Sequence, residues 1–329
     1  MSYQISVSSP QMSAANNTVF SPLTFILTGI PGLPMSNYWI AFPLSCLYLL
    51  MLLGNCTLLW TIKTDFTLHT PMYSLLSMLA LADLGLSVST LPSMLGIFWF
   101  ESTSLHFDAC IIQMYFIHSF SAIESGVLVA MALDRFVAIC YPLQYASILT
   151  GTLIMKAGGV IFMRGVCVVL PVAVLIKKLP FCRSMLLSHS FCLHQDMLRL
   201  ACGDVRVNSV YGLTAVILTK GLDSMAILLS YMMIVRAIMS TTSHESRVKA
   251  FSTCVSHLCA VLVFYIPLIS LSIIHRFGKH LPALTHTLMA DAYLLVPPIL
   301  NPFIYSWKTK QIRRRILTIF HWRGAQRLA

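Results

Sequence analysis

The residues of this sequence that could do chemistry are ionisable side chains inside long apolar runs. One run, roughly residues 106–140, contains Cys110, His118, Glu124, Asp134 and Arg135. If it forms one helix across a membrane, Cys110 and Arg135 mark its two ends, about 37 Å apart at ~1.5 Å per residue. His118 then lies in the third nearest Cys110, and Glu124 lies near the middle. Ionisable groups are costly inside a membrane and usually serve a function.

Neighbouring apolar runs contain further polar residues: Asp83, Lys220, Asp223, Asp291, Asn301, His275 and Arg276. Catalysis would need a nucleophile with its base, or a metal motif such as His-Glu-x-x-His, and the sequence shows neither. A carrier typically has duplicated halves, and a channel needs rings of like residues from several chains. Because no duplication is visible, the pattern favours a ligand-gated switch, with a transporter or channel second and an enzyme third.

The elements that must position these residues are membrane-spanning helices. Of 329 residues, 57% are hydrophobic and 10% are charged, whereas soluble domains have about 25% charged residues. Seven runs are long enough to cross about 30 Å of hydrocarbon: roughly residues 38–62, 72–98, 106–140, 153–176, 205–239, 249–275 and 284–307. We therefore predict an all-α membrane protein with an outer segment (1–37), a bundle of seven transmembrane helices (38–307) and a cytoplasmic tail (308–329).

The basic residues predict the orientation, because Lys and Arg accumulate on the cytoplasmic side of inserted helices. With the N-terminus outside, thirteen lie on the inner side and seven on the outer side, and residues 1–37 contain none. Asn16 begins a glycosylation sequon in that outer segment. The net charge of +11 is spread over loops and tail, so we expect a lipid bilayer as partner and no nucleic acid.

Four cysteines share the predicted outer side: Cys110, Cys182, Cys192 and Cys202. An oxidising environment favours disulfides, so we predict two, although spacing alone leaves three pairings open. A zinc site that uses His189 and His194 is the competing interpretation. It is disfavoured because paired Cys-x-x-Cys spacing is absent.

Six motifs, in register along the seven spans, closely resemble those of odorant receptors. They are Gly54-Asn55, LHTPMY (68–73), MALDRFVAIC (131–140), Ser230-Tyr231, KAFSTCVSHL (249–258) and PPILNPFIY (297–305). The long outer loop with its extra cysteine pair, and HRFG at 275–278, are similar to the class I, fish-like branch. The resemblance covers the whole chain. It implies a rhodopsin-like G-protein-coupled receptor of the plasma membrane that binds an odorant outside and activates a stimulatory G protein, raising cyclic AMP.

The same resemblance implies two disulfides, Cys110–Cys192 and Cys182–Cys202. It also implies a switch in which Asp134 holds Arg135 in the silent receptor, with Tyr231 and Tyr305 as the switch partners after release. The alternative is that the two charges only anchor a helix end at the interface. The segment 308–322, basic on one side and apolar on the other, predicts a short amphipathic eighth helix on the inner leaflet.

The positions that match acid-recognition candidates of the class I family are His118, Gln195, Ser272 and Arg276. A guanidinium can form a fork of two hydrogen bonds with a carboxylate, and Ser272 lies one turn before Arg276 on the same face. We therefore expect a small carboxylic acid as the ligand. Lys220 is a fifth candidate, either as a second cation in the pocket or, as we favour, paired with Asp223 three residues on.

Asp83, Glu124 and Asn55 come from neighbouring spans of the family bundle. Two carboxylates that face each other in a low dielectric need a cation or a shared proton. We expect a sodium ion that favours the silent state, with a proton as the alternative. No other cofactor is expected.

Overall fold

The computed structural model describes residues 24–30, 38–182, 185–240, 243–277, 280–308 and 312–314. Its elements, in chain order, are β1 (Thr24–Leu27), α1 (Tyr38–Thr64), α2 (Pro71–Phe100), β2 (Ser104–His106), α3 (Phe107–Cys140), α4 (Tyr145–Ile148), α5 (Gly151–Lys177), β3 (Leu186–Leu187), α6 (His194–Leu200), α7 (Arg206–Val216), a π-helical turn (Ile217–Gly221), α8 (Leu222–Ser240), α9 (His244–Phe277) and α10 (Ala283–Lys308). Six spans are long and apolar enough to cross a membrane, and α3 with its bent continuation makes a seventh. The predicted seven-helix fold is confirmed, with boundaries that agree to within a few residues.

The described helices bury polar side chains and expose apolar ones, the reverse of a soluble bundle. On α1, Trp39, Phe42 and Trp60 are exposed, whereas Asn55 is completely buried. The driving force is that every exposed position between the membrane surfaces meets hydrocarbon, where polar groups without partners are costly. Polar residues therefore collect on the inward faces of the helices, where they can form sites.

Helix α3 is the central element of the bundle, and it packs against α2, α5, α8 and α9. Its polar residues Glu124, Asp134 and Arg135 are all buried. Because α3 touches so many neighbours, its side chains at one level can contact several spans at once. Four of the ionisable candidates, His118, Glu124, Asp134 and Arg135, lie on this one helix.

A small sheet and two disulfides cover the end of the bundle that is predicted to lie outside the cell, called the outer end from here on. Strand β1 pairs antiparallel with β2 and parallel with β3. Side chains alternate across a strand, so Phe25 and Leu27 are buried while Thr24 and Ile26 face outward. Phe25 packs against Phe107 and Phe181, with ring centroids 5.6 Å away in both cases. The sheet thereby ties the outer loop and part of the N-terminal segment to the start of α3.

The fifth span is interrupted by the π-helical turn between α7 and α8. A π turn has an i→i+5 hydrogen-bond pattern and is frequent at functional sites. Here the wider turn contains Thr219 and Lys220, and both side chains are buried. The predicted fifth span is correct in extent, but no feature of the sequence predicted this change in geometry.

Two terminal predictions fall largely outside the described residues. Asn16, with the rest of 1–23, lies outside them. Of the predicted eighth helix, only residues 312–314 beyond Lys308 are described; they are helical, with Ile312 buried and Arg313 and Arg314 exposed. The glycan and the amphipathic helix stay predictions.

Candidate functional site

A cavity of about 190 Å³ lies between the described parts of five spans and the outer loop. The side chains that sequence analysis proposed and that line it are His118, Gln195, Lys220 and Ser272. Arg276 follows Ser272 by one turn of α9, but its side chain lies outside the described part of the chain. Four of the five predicted ligand residues thus share one cavity, and the fifth stays a prediction.

The outer part of the cavity is rich in hydrogen-bonding groups. Ser272 Oγ donates to the carbonyl of Leu268 at 2.8 Å and keeps its lone pairs available. His118 Nε2 is buried and has no hydrogen-bond partner among the described residues. Gln195, in α6, is exposed toward the cavity. His118 and Gln195 can donate to the oxygens of a small ligand, and the Ser272 hydroxyl can accept a hydrogen bond from one.

The roof of the cavity is fixed to α3 by a covalent bond and a hydrogen bond. The structure joins Cys110 to Cys192, with Cα atoms 5.5 Å apart, and Cys182 to Cys202, with Cα atoms 5.8 Å apart. This is the pairing that the family resemblance implied. Gln113 adds a second tie, because its Oε1 accepts a hydrogen bond from the Cys192 amide at 3.0 Å. Since α6 begins two residues after Cys192, both ties position Gln195.

His194 is a cavity residue that sequence analysis considered only as a zinc ligand. It is buried at the start of α6, and burial lowers its pKa to about 4. A side chain at Gly212 would collide with the His194 ring, so a glycine is needed there. A neutral imidazole against the cavity can accept or donate one hydrogen bond. The sequence around His194 did not indicate that this residue would line the cavity.

The zinc interpretation is not supported by the described residues. His189 Nδ1 lies 2.9 Å from Asp196 Oδ2, and the four outer cysteines form disulfides. No group of three or more His, Cys, Asp or Glu residues in the described ranges could hold a metal ion. The His189–Asp196 pair is instead a buried ion pair of the loop that roofs the cavity.

The floor of the cavity holds Lys220, and here the favoured pairing with Asp223 is wrong. Lys220 Nζ donates to the carbonyl oxygen and, at 2.8 Å, to the hydroxyl of Ser121. It also lies 4.7 Å from the ring centroid of Phe264. Asp223 forms its ion pair elsewhere, and the π turn that contains Lys220 departs from the regular α-helical spacing on which the predicted pairing depended.

Asp223 pairs with Arg164 of α5, a residue that sequence analysis missed. Its two carboxylate oxygens accept from the two terminal guanidinium nitrogens at 2.7 and 2.6 Å. Such forked pairs are the strongest Arg–carboxylate arrangement. Gly126 makes room, since a Cβ there would lie 2.9 Å from Arg164 Nη2. The sequence feature that could have identified Arg164 is its place inside the fourth apolar run, where an arginine is costly.

Two serines one turn apart on α3 connect this floor to the other spans. Ser125 Oγ lies 2.7 Å from Asp223 Oδ2 and 3.0 Å from the Tyr265 hydroxyl. Ser121 bonds Lys220 and also the hydroxyl of Tyr293 on α10. A ligand that moves the floor residues would therefore act on the fifth, sixth and seventh spans together.

Deeper in the bundle, Asn301 bridges the two predicted core carboxylates. Its amide donates to Asp83 at 3.0 Å and to Glu124 at 3.5 Å. Asn55 donates instead to the carbonyls of Met51 and Pro298, both at 3.0 Å. Buried oxygens on Asn55, Asp83 and Asn301 have no hydrogen-bond partner among the described residues. Unpartnered carboxylate and amide oxygens are the donor type that a hard cation prefers, so these residues fit a sodium ion.

The inner end of α3 contains the predicted switch. Arg135 Nε donates to Asp134 Oδ2 at 2.9 Å, and a second nitrogen bonds the same oxygen. The Tyr145 hydroxyl, from α4, donates to Asp134 Oδ1 at 2.7 Å. Sequence analysis missed Tyr145, because only the bend after Cys140 brings α4 back toward α3. Arg135 is thus held in the arrangement expected for a silent receptor.

The two tyrosines proposed as partners of Arg135 have other partners in this arrangement. The Tyr231 hydroxyl lies 2.7 Å from His257 Nδ1, and His257 Nε2 lies 3.0 Å from the carbonyl oxygen of Leu128. Tyr305 is completely buried, with its hydroxyl 3.9 Å from Met131 Sδ. A later exchange of these bonds for bonds to Arg135 stays a prediction.

Comparisons with known proteins agree with the motifs. A family model described as olfactory receptor matches residues 44–323. Human olfactory receptor 51H1 is 56% identical over 302 residues, which is 92% of this chain and 100% of that protein. Human olfactory receptor 51G2 is 52% identical over 308 residues, 94% of this chain and 98% of that protein. Rat olfactory receptor 51E2 is 52% identical over 309 residues, 94% and 96% respectively.

Proposed function

This chain belongs to the olfactory receptor family, and on that premise we propose that it detects a small carboxylic acid and activates a stimulatory G protein that raises cyclic AMP. As a member of this family it is a multi-pass G-protein-coupled receptor of the plasma membrane, and it is not an enzyme. The proposal concerns the chemistry of the odorant, the type of G protein and the orientation of the chain, with the N-terminus outside.

The observation that carries the ligand proposal is the convergence of His118, Gln195 and Ser272 on one cavity. They come from α3, the outer loop and α9, so no local feature of the sequence requires them to meet. The donors of His118 and Gln195 can bind carboxylate oxygens, and Arg276 comes one turn after Ser272 on the same helix. Carboxylate recognition in a partly dry site is stronger than in water.

The test is a dose–response comparison of Arg276→Ala with the wild-type receptor for short monocarboxylic acids. Loss of a charge-assisted contact should reduce potency about ten- to a hundredfold. Arg276→Lys keeps the charge but loses the fork, and we expect an intermediate loss. Surface labelling confirms equal expression. A normal acid response in Arg276→Ala, or a hydrocarbon-like odorant as the best agonist, would contradict acid recognition.

The positions of the cavity and of the Asp134–Arg135 pair, at the two ends of α3, support the signalling part of the proposal. The cavity lies at the end with the disulfide-bonded loop, and the Asp134–Arg135 pair lies at the opposite end. A ligand outside and a G protein inside therefore act on the same helix. We propose that activation releases Arg135 from Asp134, and that Tyr231 and Tyr305 then contact it.

We also propose that sodium occupies the core and favours the silent state. The predicted residues Asp83, Glu124 and Asn55 would hold it, and Asn301 would be a further ligand. The unpartnered oxygens of Asn55, Asp83 and Asn301 support this assignment. The ion would supply the positive charge that two buried carboxylates need. Basal signalling should therefore fall as sodium replaces potassium at constant ionic strength and pH, and Asp83→Asn should remove that dependence.

A further inference from the structure

Lys220 is a buried cation at the cavity floor that has no described carboxylate within ion-pair distance, and Glu124 and Asp223 act on its charge only from farther away. Its side chain is 8% exposed, and both of its hydrogen bonds go to neutral oxygens of Ser121. An ammonium has three donors, and among the described residues Nζ takes part in no ion pair. The nearest aspartate along the chain, Asp223, is neutralised by the fork of Arg164.

An uncompensated charge in a low dielectric is unfavourable, and an anion that reaches it gains a strong interaction. The face of Phe264 stabilises the ammonium only in part. Because Lys220 lines the cavity, a ligand can supply the missing anion. The cation is therefore better suited to binding than to holding the bundle together.

The lining of the cavity is polar at both ends and apolar between them. Along the fifth span it runs from Ser209 through Ala215 and Val216 to Thr219 and Lys220. A ligand that meets both ends must have an apolar middle and a hydrogen-bond acceptor at each end.

The size of the cavity limits that ligand to a short chain. Its 190 Å³ corresponds to on the order of ten non-hydrogen atoms, because one water needs roughly 10–15 Å³ by the same measure. Hexanedioate has that many atoms. A monocarboxylate of equal length would place a methyl group, rather than an anion, beside Lys220.

We propose that this receptor prefers short α,ω-dicarboxylates, with one carboxylate at the outer donors and the other bound by Lys220. The inference rests on the proposed acid recognition at the outer end and adds a second anionic end to the ligand. Lys220 is then the residue that determines specificity between monoacids and diacids.

The experiment measures ligand-induced thermal stabilisation of the purified receptor, so that it does not depend on the G protein. The probes are butanedioate to octanedioate and the monocarboxylates with the same numbers of carbons. In the wild type, the half-maximal concentration should be at least about tenfold lower for the best dicarboxylate than for its monocarboxylate. Lys220→Met should invert that preference, because the floor becomes apolar at similar side-chain length.

Lys178→Met is the matched control, since this lysine is exposed at the outer end of α5 and does not line the cavity. It should keep the dicarboxylate preference of the wild type. Lys220→Arg keeps the cation and should keep the preference too, which provides a second variant if Lys220→Met does not fold. If neither variant can be purified, the relative affinities of the wild-type receptor for dicarboxylates and monocarboxylates still test the proposal.

The outcomes separate the two proposals. If monocarboxylates bind but dicarboxylates bind no better, or if Lys220→Met keeps the dicarboxylate preference, the second anionic site is wrong and acid recognition stands. If neither acid series stabilises the wild type while neutral odorants do, acid recognition itself fails, and the second site fails with it.

Discussion

The fifth span presents two charged side chains to α3, and they differ in how their charge is balanced. Asp223 is held in a fork by Arg164 and also accepts from Ser125. Lys220, three residues earlier, bonds the neutral oxygens of Ser121 and lies against the ring of Phe264, and no carboxylate in the described ranges comes within ion-pair distance of it. The first charge is used inside the protein, and we propose that the second is available to a ligand. Two buried charges on one span can therefore differ in role, and the partner of each charge is the feature that distinguishes them.

The largest effect that tests this comparison is expected from Asp223→Asn. The substitution leaves Arg164 without its carboxylate, and breaking such a partly buried pair should cost about 3 to 5 kcal/mol. Lys220→Met removes a charge that has no ion-pair partner, so it should lower stability much less. The stability of each variant is measured by thermal unfolding of the purified protein and by its level at the cell surface. Equal destabilisation by the two substitutions would remove the distinction between them.

A double substitution sharpens the same point. Arg164→Met with Asp223→Leu replaces the pair by apolar side chains, and such replacements are often close to neutral. We expect the double variant to recover most of the stability that Asp223→Asn loses. No recovery would mean that the pair is needed for more than charge balance.

The inner end of α3 also contains an ion pair, between Asp134 and Arg135. Unlike the Arg164–Asp223 pair, this one is proposed to break when the receptor is activated. Tyr145 orients Asp134 toward Arg135, so Tyr145→Phe should weaken the hold on Arg135 by about 1.5 to 3 kcal/mol, the worth of a hydrogen bond to a charged group. The expected result is higher basal cyclic AMP at equal surface expression. Arg135→Ala is the reference, since it should bind ligand but not signal. Unchanged basal signalling in Tyr145→Phe would exclude Tyr145 from the switch.

Some of these contacts follow from the sequence and others do not. The seven spans could be predicted because lipid requires long apolar helices with internal backbone bonding. The Lys220–Asp223 prediction failed because the three-residue rule assumes regular α-helix, and the π turn and Arg164 both depend on tertiary packing. The contact of Tyr145 with Asp134 depends on a 114° bend after α3. The disulfide pairing needed the family resemblance, because spacing left three possibilities.

The smallest predicted effect concerns the His189–Asp196 pair in the roof of the cavity. Burial opposes protonation of His189, but the hydrogen bond and charge of Asp196 outweigh it, and Asp291 and His286 add to the same direction; the pKa is raised above 6.5. The stabilisation is therefore complete below about pH 6.5 and is lost as the pH rises through the raised pKa. Arg199, 3.8 Å from Asp196, competes weakly for the carboxylate.

Thermal unfolding of the purified receptor from about pH 5.5 to pH 9 measures this dependence. We expect a small fall in stability toward alkaline pH, on the order of 1 kcal/mol or less. His189→Gln should abolish it, whereas substitution of the exposed His280 should not. A stability that rises with pH in the wild type would show that the ion pair is not formed.

The measurement that tests the central claim most directly compares a carboxylate with its uncharged amide. Pentanoate and pentanamide have nearly the same shape, so a difference between them reports recognition of charge in the cavity that contains His118, Gln195 and Ser272. In cells that express the wild-type receptor, the acid should be at least about tenfold more potent in raising cyclic AMP. Equal potency of the two compounds, or a preference for the amide, would contradict acid recognition.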